Sequence, residues 1–164
     1  MELDSLKKLY IHELQDLYDA EHQLLKALPK MSRAASSEEL GAAFDRHLDE
    51  TQQQVERLEK AFSLLKIKPT RLSCKGMKGL IEEGEELIKE DGDPAVKDAG
   101  LIAAAQRVEH YEIAAYGCAR TYAEMLGQEK AVELLQNSLD EERAADEALT
   151  GLAEDVINFE AAEA

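Results

Sequence analysis

The chain contains no tryptophan, three prolines and two cysteines, and aromatic residues make up only 5% of its 164 positions. Each shortage excludes something. Cys74 and Cys118 are too few for a disulfide framework, and neither belongs to a CxxC pair, so a reducing cytoplasm is the expected compartment. The low proline count removes collagen-like and proline-rich low-complexity classes. No apolar run reaches the ~18 residues a membrane-spanning helix needs. The opening MELDSLKKLYIHELQ lacks the apolar centre of a signal peptide. Basic residues are also scarce: 19 Lys and Arg against 35 Asp and Glu, a formal net charge of −16. Such a surface is repelled by nucleic acid and by anionic lipid, so neither is an expected partner.

What is present favours helix. The composition is 45% hydrophobic and 33% charged, and Ala, Leu and Glu dominate. The length suits one domain, residues 1–164. Apolar residues recur at three- and four-residue steps over about Leu3–Met31, behind Asp4 and Ser5, with Pro29 expected to kink or loosen the last turn. A polar link over Ser32–Ser37 leads into a second helix over about Glu38–Lys66. The stretch Ile67–Asp93 breaks the pattern and reads as a long crossover carrying a short helix over about Met77–Lys89. Asp93-Pro94 opens a third long helix over about Ala95–Leu126, which Gly127 stops. The fourth runs over about Glu129–Asn158, with a frayed tail expected at Phe159–Ala164. Short links within each pair and one long crossover between pairs predict an all-α, ferritin-like antiparallel four-helix bundle with a fifth, short helix.

Several acids lie on the apolar stripes. Glu21 continues the series Leu14, Leu17, Leu24 and Leu28. Glu112 centres the stripe of Val108, Ala115 and Ala119, with Glu109 on its flank. Glu142 and Asp146 sit between Leu139 and Leu149. On the second helix His47 and Gln54 flank the stripe, and Glu50 lies further off, roughly 100° from its centre at about 100° per residue. Buried carboxylates need a cation, a buried base, or trapped protons and water. Bases are scarce on these stripes. Antiparallel pairing brings Glu21 level with Glu50, and Glu112 level with Glu142. The halves also repeat: Glu21 and Glu112 are 91 positions apart, Glu50 and Glu142 92, and Gln54 and Asp146 92. Two facing carboxylate-bearing helix pairs are the arrangement that holds two metal ions in a bundle core. An oxygen-rich donor set suits Fe or Mn.

Simpler readings stand beside these. Glu50 fits a solvated flank, His47 the edge of a core, and Gln54 a hydrogen-bond partner of a carboxylate. His12, His22 and His110 point to the surface. Most of the tyrosines fit core packing with their hydroxyls at the rim, with Tyr116 one turn from Glu112 and able to reach a carboxylate. The run Glu82, Glu83, Glu85 and Glu86 is a solvated face. No phosphate loop or nucleophilic triad stands out.

The segments HELQDLYDAEHQLLKALPKM, HLDETQQQVERLEKAF, AAAQRVEHYEIAAYG and LDEERAAD, in that order, resemble the YciE/YciF group of bacterial stress proteins, in the ferritin-like superfamily alongside rubrerythrins. The resemblance spans about Leu6–Ala153. It implies a ferritin-like bundle, a homodimer and a dinuclear metal site. Glu21, Glu50, Glu112 and Glu142 match the four core carboxylate positions of ferritin-like di-iron proteins, and Glu109 with Glu112 gives the E-x-x-E spacing of rubrerythrin-like third helices. One departure counts against iron oxidation. Di-iron proteins usually carry histidine three residues after the carboxylates of helices two and four, where this chain has Gln53 and Ala145. The nearest substitutes are Gln54, Asp146 and His47. The expected function is a stress protein binding two Fe or Mn ions per chain, with oxidative protection as its task and oxygen or peroxide as substrate if it is an enzyme. A non-enzymatic dimerisation module with a relic core and a metal store are the alternatives.

Overall fold

Local signals start most of the helices. Ser5 Oγ accepts a hydrogen bond from Lys8 N at 3.3 Å and opens α1, Leu6–Ala34. Ser37 Oγ does the same for Leu40 N, also at 3.3 Å, at the head of α2, Glu38–Leu64. The crossover helix α3, Lys75–Lys89, is capped by Cys74 Sγ, 3.4 Å from Met77 N. At α4, Pro94–Met125, Asp93 Oδ1 accepts from Ala95 N at 2.8 Å, and Pro94 needs no partner for the N–H it lacks. Gly127, at φ +68°, takes the left-handed turn that separates α4 from α5, Glu129–Leu152. The computed structural model describes residues 4–164.

The all-helical bundle with a crossover helix is as expected, and the differences lie at helix ends. The expected start at Leu3 lies outside the described residues. α1 continues through Pro29 to Ala34, so the proline does not end it. Leu28 and Met31, buried on either side of it, pin the last turn to the core. α3 begins at Lys75, two residues earlier than expected. The last helix is not continuous to Asn158. It passes through one π-helical turn, Ala153–Ile157, and resumes as α6, Asn158–Ala162. The tail is therefore helical almost to its end. Ala153 and Ile157 are buried in the core, which anchors the turn.

Packing follows from two apolar clusters. One holds Leu24 and Leu28 of α1, Leu40 and Phe44 of α2, Leu101 and Val108 of α4, and Leu149 of α5. The other holds Tyr10, Leu14 and Leu17, then Leu58 and Phe62, Tyr116 and Ala119, and Leu135 and Leu139 of the same helices. Each long helix runs from one cluster to the other, α1 and α5 in one direction and α2 and α4 in the opposite one. That order makes α1 antiparallel to α2, and α4 antiparallel to α5. α2 packs on α5 and α1 on α4, and α3 lies across α4 and α1. Burying each large apolar side chain is worth about 1.5–3 kcal/mol, so the clusters hold the bundle from both sides of its middle. Asp98 ties the α1–α2 link to α4 by accepting from Ser36 N at 2.9 Å and Ser37 N at 2.7 Å.

Candidate metal centre

Between the two clusters the stripes turn polar at one height. α1 contributes Glu21 there, α2 His47, Thr51 and Gln54, α4 Glu109 and Glu112, and α5 Glu142; all are buried. The helical period that carries leucines inward above and below carries these side chains inward too.

His47, Glu109, Glu112 and Glu142 each offer a ligand atom within 4.8 Å of the others. His47 Nε2 lies 3.3 Å from Glu109 Oε1 and 3.7 Å from Glu142 Oε2. Its Nδ1 is 3.3 Å from Glu50 Oε2. The hydroxyl of Tyr116 donates to Glu21 Oε1, and Gln54 Nε2 donates to Glu142 Oε1. Much of the cluster has no hydrogen-bond partner: both Glu112 oxygens, Glu21 Oε2, Glu109 Oε2, Glu142 Oε2, Gln54 Oε1 and His47 Nε2.

The electrostatics match that crowding. Burial, with the charge of Glu142 behind it, pushes the Glu21 carboxyl up to about 8. Burial also pushes Glu109 up to about 8, against a lowering contact with Glu142. Glu112 and Glu142 are held well above the carboxylate range by burial first and by neighbouring acids second. Burial pulls the His47 ring down, but its contact with Glu50 and the charges of Glu142 and Glu21 outweigh that and raise it. A set of acids kept from ionising only by burial and mutual repulsion gains most from a cation, which neutralises the repulsion and occupies the free oxygens.

The eight residues singled out in the sequence fall into three places. Glu21, His47, Gln54, Glu109, Glu112 and Glu142 meet in the buried layer. Glu50 stands at its rim, its side chain 38% exposed, touching His47 from outside. Asp146 faces away: its carboxylate accepts from Gln106 Nε2 at 3.1 Å and lies 3.3 Å from His110 Nε2. Gln53 is exposed and Ala145 half-buried. The sequence reading missed Arg57 and Glu141. Arg57 grips Glu141 with two bonds of 2.5 and 2.6 Å, and Glu141 Oε2 accepts from Gln54 Nε2 at 3.1 Å. Gln54 is thus held between two adjacent glutamates. Nothing in the sequence signals this, because Arg57 and Glu141 meet only when α2 packs on α5.

Comparison with known proteins agrees across the chain. It is 49% identical to protein YciF of Escherichia coli strain K12 over 164 residues, 98% of each. The crystal structure of the E. coli stress protein YciF superposes with a TM-score of 0.92 at 47% identity, covering 95% of this chain and 99% of that one. YcfI of Rhodopseudomonas palustris, suggested to be a structural protein, matches at 0.88 and 43% identity, over 91% and 95% of the two chains. A Xanthomonas campestris protein shares the fold at 0.72 and 21% identity, over 93% and 94%. The family model described as a domain of unknown function, DUF892, matches residues 5–162. With an all-helical fold, a buried acid layer and a full-length relative among bacterial stress proteins, this chain belongs to the DUF892 family.

Proposed function

We propose that the protein is a ferritin-like stress protein that binds two Fe or Mn ions in the polar layer of its bundle. The observation that supports this reading is the set of unpartnered buried oxygens, above all both oxygens of Glu112. Leaving such groups unsatisfied costs roughly 1–3 kcal/mol each, and more if charged. His47, Glu109, Glu112 and Glu142 form the tightest set for one ion. Glu21, beside Glu112 and Glu142, extends the set to a second. Gln54 and Tyr116 orient Glu142 and Glu21, as second-layer hydrogen bonds do at metal sites. Bound Fe or Mn would supply redox or Lewis-acid chemistry toward oxygen or peroxide, in keeping with oxidative protection. The resemblance to the stress-protein group also supports a homodimer.

Elemental analysis of protein purified without chelator tests this reading. About two Fe or Mn per chain in the wild type, lost in Glu112→Ala, is the expected result. No metal in either after reconstitution overturns it. A second reading has its own support: with pKa values raised this far, the acids can persist as a protonated network. In that case the bundle is a structural stress protein, and adding Fe or Mn leaves its melting unchanged. A metal store would instead load many ions in a larger assembly.

A further inference from the structure

Two cavities reach Glu109, from opposite sides. One lies under α3 among Leu24, Leu28, Leu80, Ile88 and Val108 and has a volume of about 20 Å³. That is room for one water, and its walls are almost wholly apolar. The other lies between α2 and α5, with a volume of about 210 Å³. Its outer wall is Arg46, Ala144 and Ala148, all exposed. Its floor is His47 and Glu109, 4% and 2% exposed. Glu50 stands on its side, half-exposed, with Oε2 3.3 Å from His47 Nδ1. On that floor His47 Nε2 and Glu109 Oε2 have no hydrogen-bond partner, nor has Glu142 Oε2, 3.7 Å from His47 Nε2.

Resting on the metal-binding reading above, we propose that the cleft between α2 and α5 is the entrance through which hydrated divalent cations reach the buried layer, with Glu50 the first carboxylate they meet. The physical reasons are size and polarity. A cation stripped of all its water in an apolar passage faces a prohibitive desolvation cost. The cavity under α3 is almost wholly apolar and has room for only about one water. The α2–α5 cleft has room for several waters, so a cation keeps part of its shell until carboxylates replace it. The protein's net charge of −16 concentrates cations at its surface, and Glu50 offers them an exchangeable ligand between solvent and His47. The cleft is open because three of the four α5 residues that line it are alanines, Ala144, Ala145 and Ala148, with Leu149 the fourth. A large side chain at the exposed Ala148 closes it without touching the buried donors.

The test is stopped-flow uptake of Co(II), read by its visible absorption, into metal-free full-length protein. Wild type is compared with Ala148→Phe, with Ala144→Phe as a second closing variant and with Leu80→Phe, which fills the opposite cavity. The closing variants are expected to bind the same number of ions at equilibrium but at least about tenfold more slowly, while Leu80→Phe keeps the wild-type rate. Uptake within twofold of wild type in both closing variants, or slowing confined to Leu80→Phe, overturns the proposal. A second readout needs no metal: carbethoxylation of His47 by diethyl pyrocarbonate, followed by mass spectrometry, slows by a similar factor in the closing variants. If wild type binds no Co(II), the metal reading fails. Slowed carbethoxylation would then still identify the cleft as the way in, and unchanged carbethoxylation would remove that as well.

Discussion

Asp19 and Glu112 are both buried acids near the middle of the bundle, 7% and 0% exposed, and their surroundings are opposite. Asp19 Oδ2 accepts from Cys74 N at 2.8 Å and Gln23 Nε2 at 2.7 Å, and Oδ1 from Arg71 Nε at 2.8 Å. Burial pulls its carboxyl up, and these bonds more than reverse that, leaving it below the usual range. Glu112 has no partner on either oxygen, and burial with three neighbouring acids drives its carboxyl upward. Asp19 ties the crossover to α1. Asp98 plays the same part for the α1–α2 link. The contrast teaches that burial alone does not identify a functional acid. A structural acid is surrounded by donors, whereas the acids of the polar layer face mainly one another.

The largest expected difference between the two regions is in pH dependence. Glu21 and Glu109 titrate near 8 when folded, far above the ~4.3 of an unfolded glutamate. Between those values the unfolded chain loses protons that the folded one keeps, so stability falls as pH rises. Metal-free protein should lose several kcal/mol of unfolding free energy between about pH 4 and pH 8, measured by urea titration. Fe(II) or Mn(II) added at pH 8 should restore it. A flat profile from pH 4 to 8 would break the comparison on the Glu112 side. Asp19, with its lowered carboxyl, acts with the opposite sign: its contribution is present above the unfolded value and is lost as pH falls through the folded one.

Asp19→Ala should destabilise by about 3 kcal/mol, because it strands the buried Cys74 N–H and releases Arg71. In a domain of this size that lowers the melting temperature by roughly 6–12 °C in calorimetry. Glu112→Gln should do the reverse in metal-free protein at pH 8, adding about 1–2 kcal/mol, because burial and the neighbouring acids make the folded carboxyl hold a proton that the unfolded chain releases, a cost a neutral amide does not carry. A loss of similar size would mean that Glu112 has donors after all. Smallest of all, Asp146→Asn should change stability by less than about 0.5 kcal/mol and keep the full metal content, because its carboxylate faces Gln106 and His110 on the outside. Lost metal in that variant would bring Asp146 back into the layer.

How legible these features were depends on what carried them. Glu21, Glu112 and Glu142 were readable because a polar residue on a leucine stripe has to point into the core. Glu50 and Asp146 share the height of the layer but not its direction. Each is the partner of an inward position one turn away, and level counting cannot tell the two apart. On α2 the inward groups at that height are His47, Thr51 and Gln54, of which the sequence placed His47 and Gln54 only on a flank. Asp19 and Asp98 were not singled out, since their partners come from the crossover and from a link some 50 to 60 residues away.

By itself, then, the sequence determined the four long helices, the crossover between pairs and the acid-bearing layer, since each follows from helical periodicity and local caps. Only the tertiary structure decided which acids are satisfied, that Arg57 fixes Glu141 and through it Gln54, and that a cleft beside Ala148 leads to His47. These depend on which faces of α2, α4 and α5 meet. The period of one helix fixes which way a side chain points, and the packing of helices fixes what it finds there.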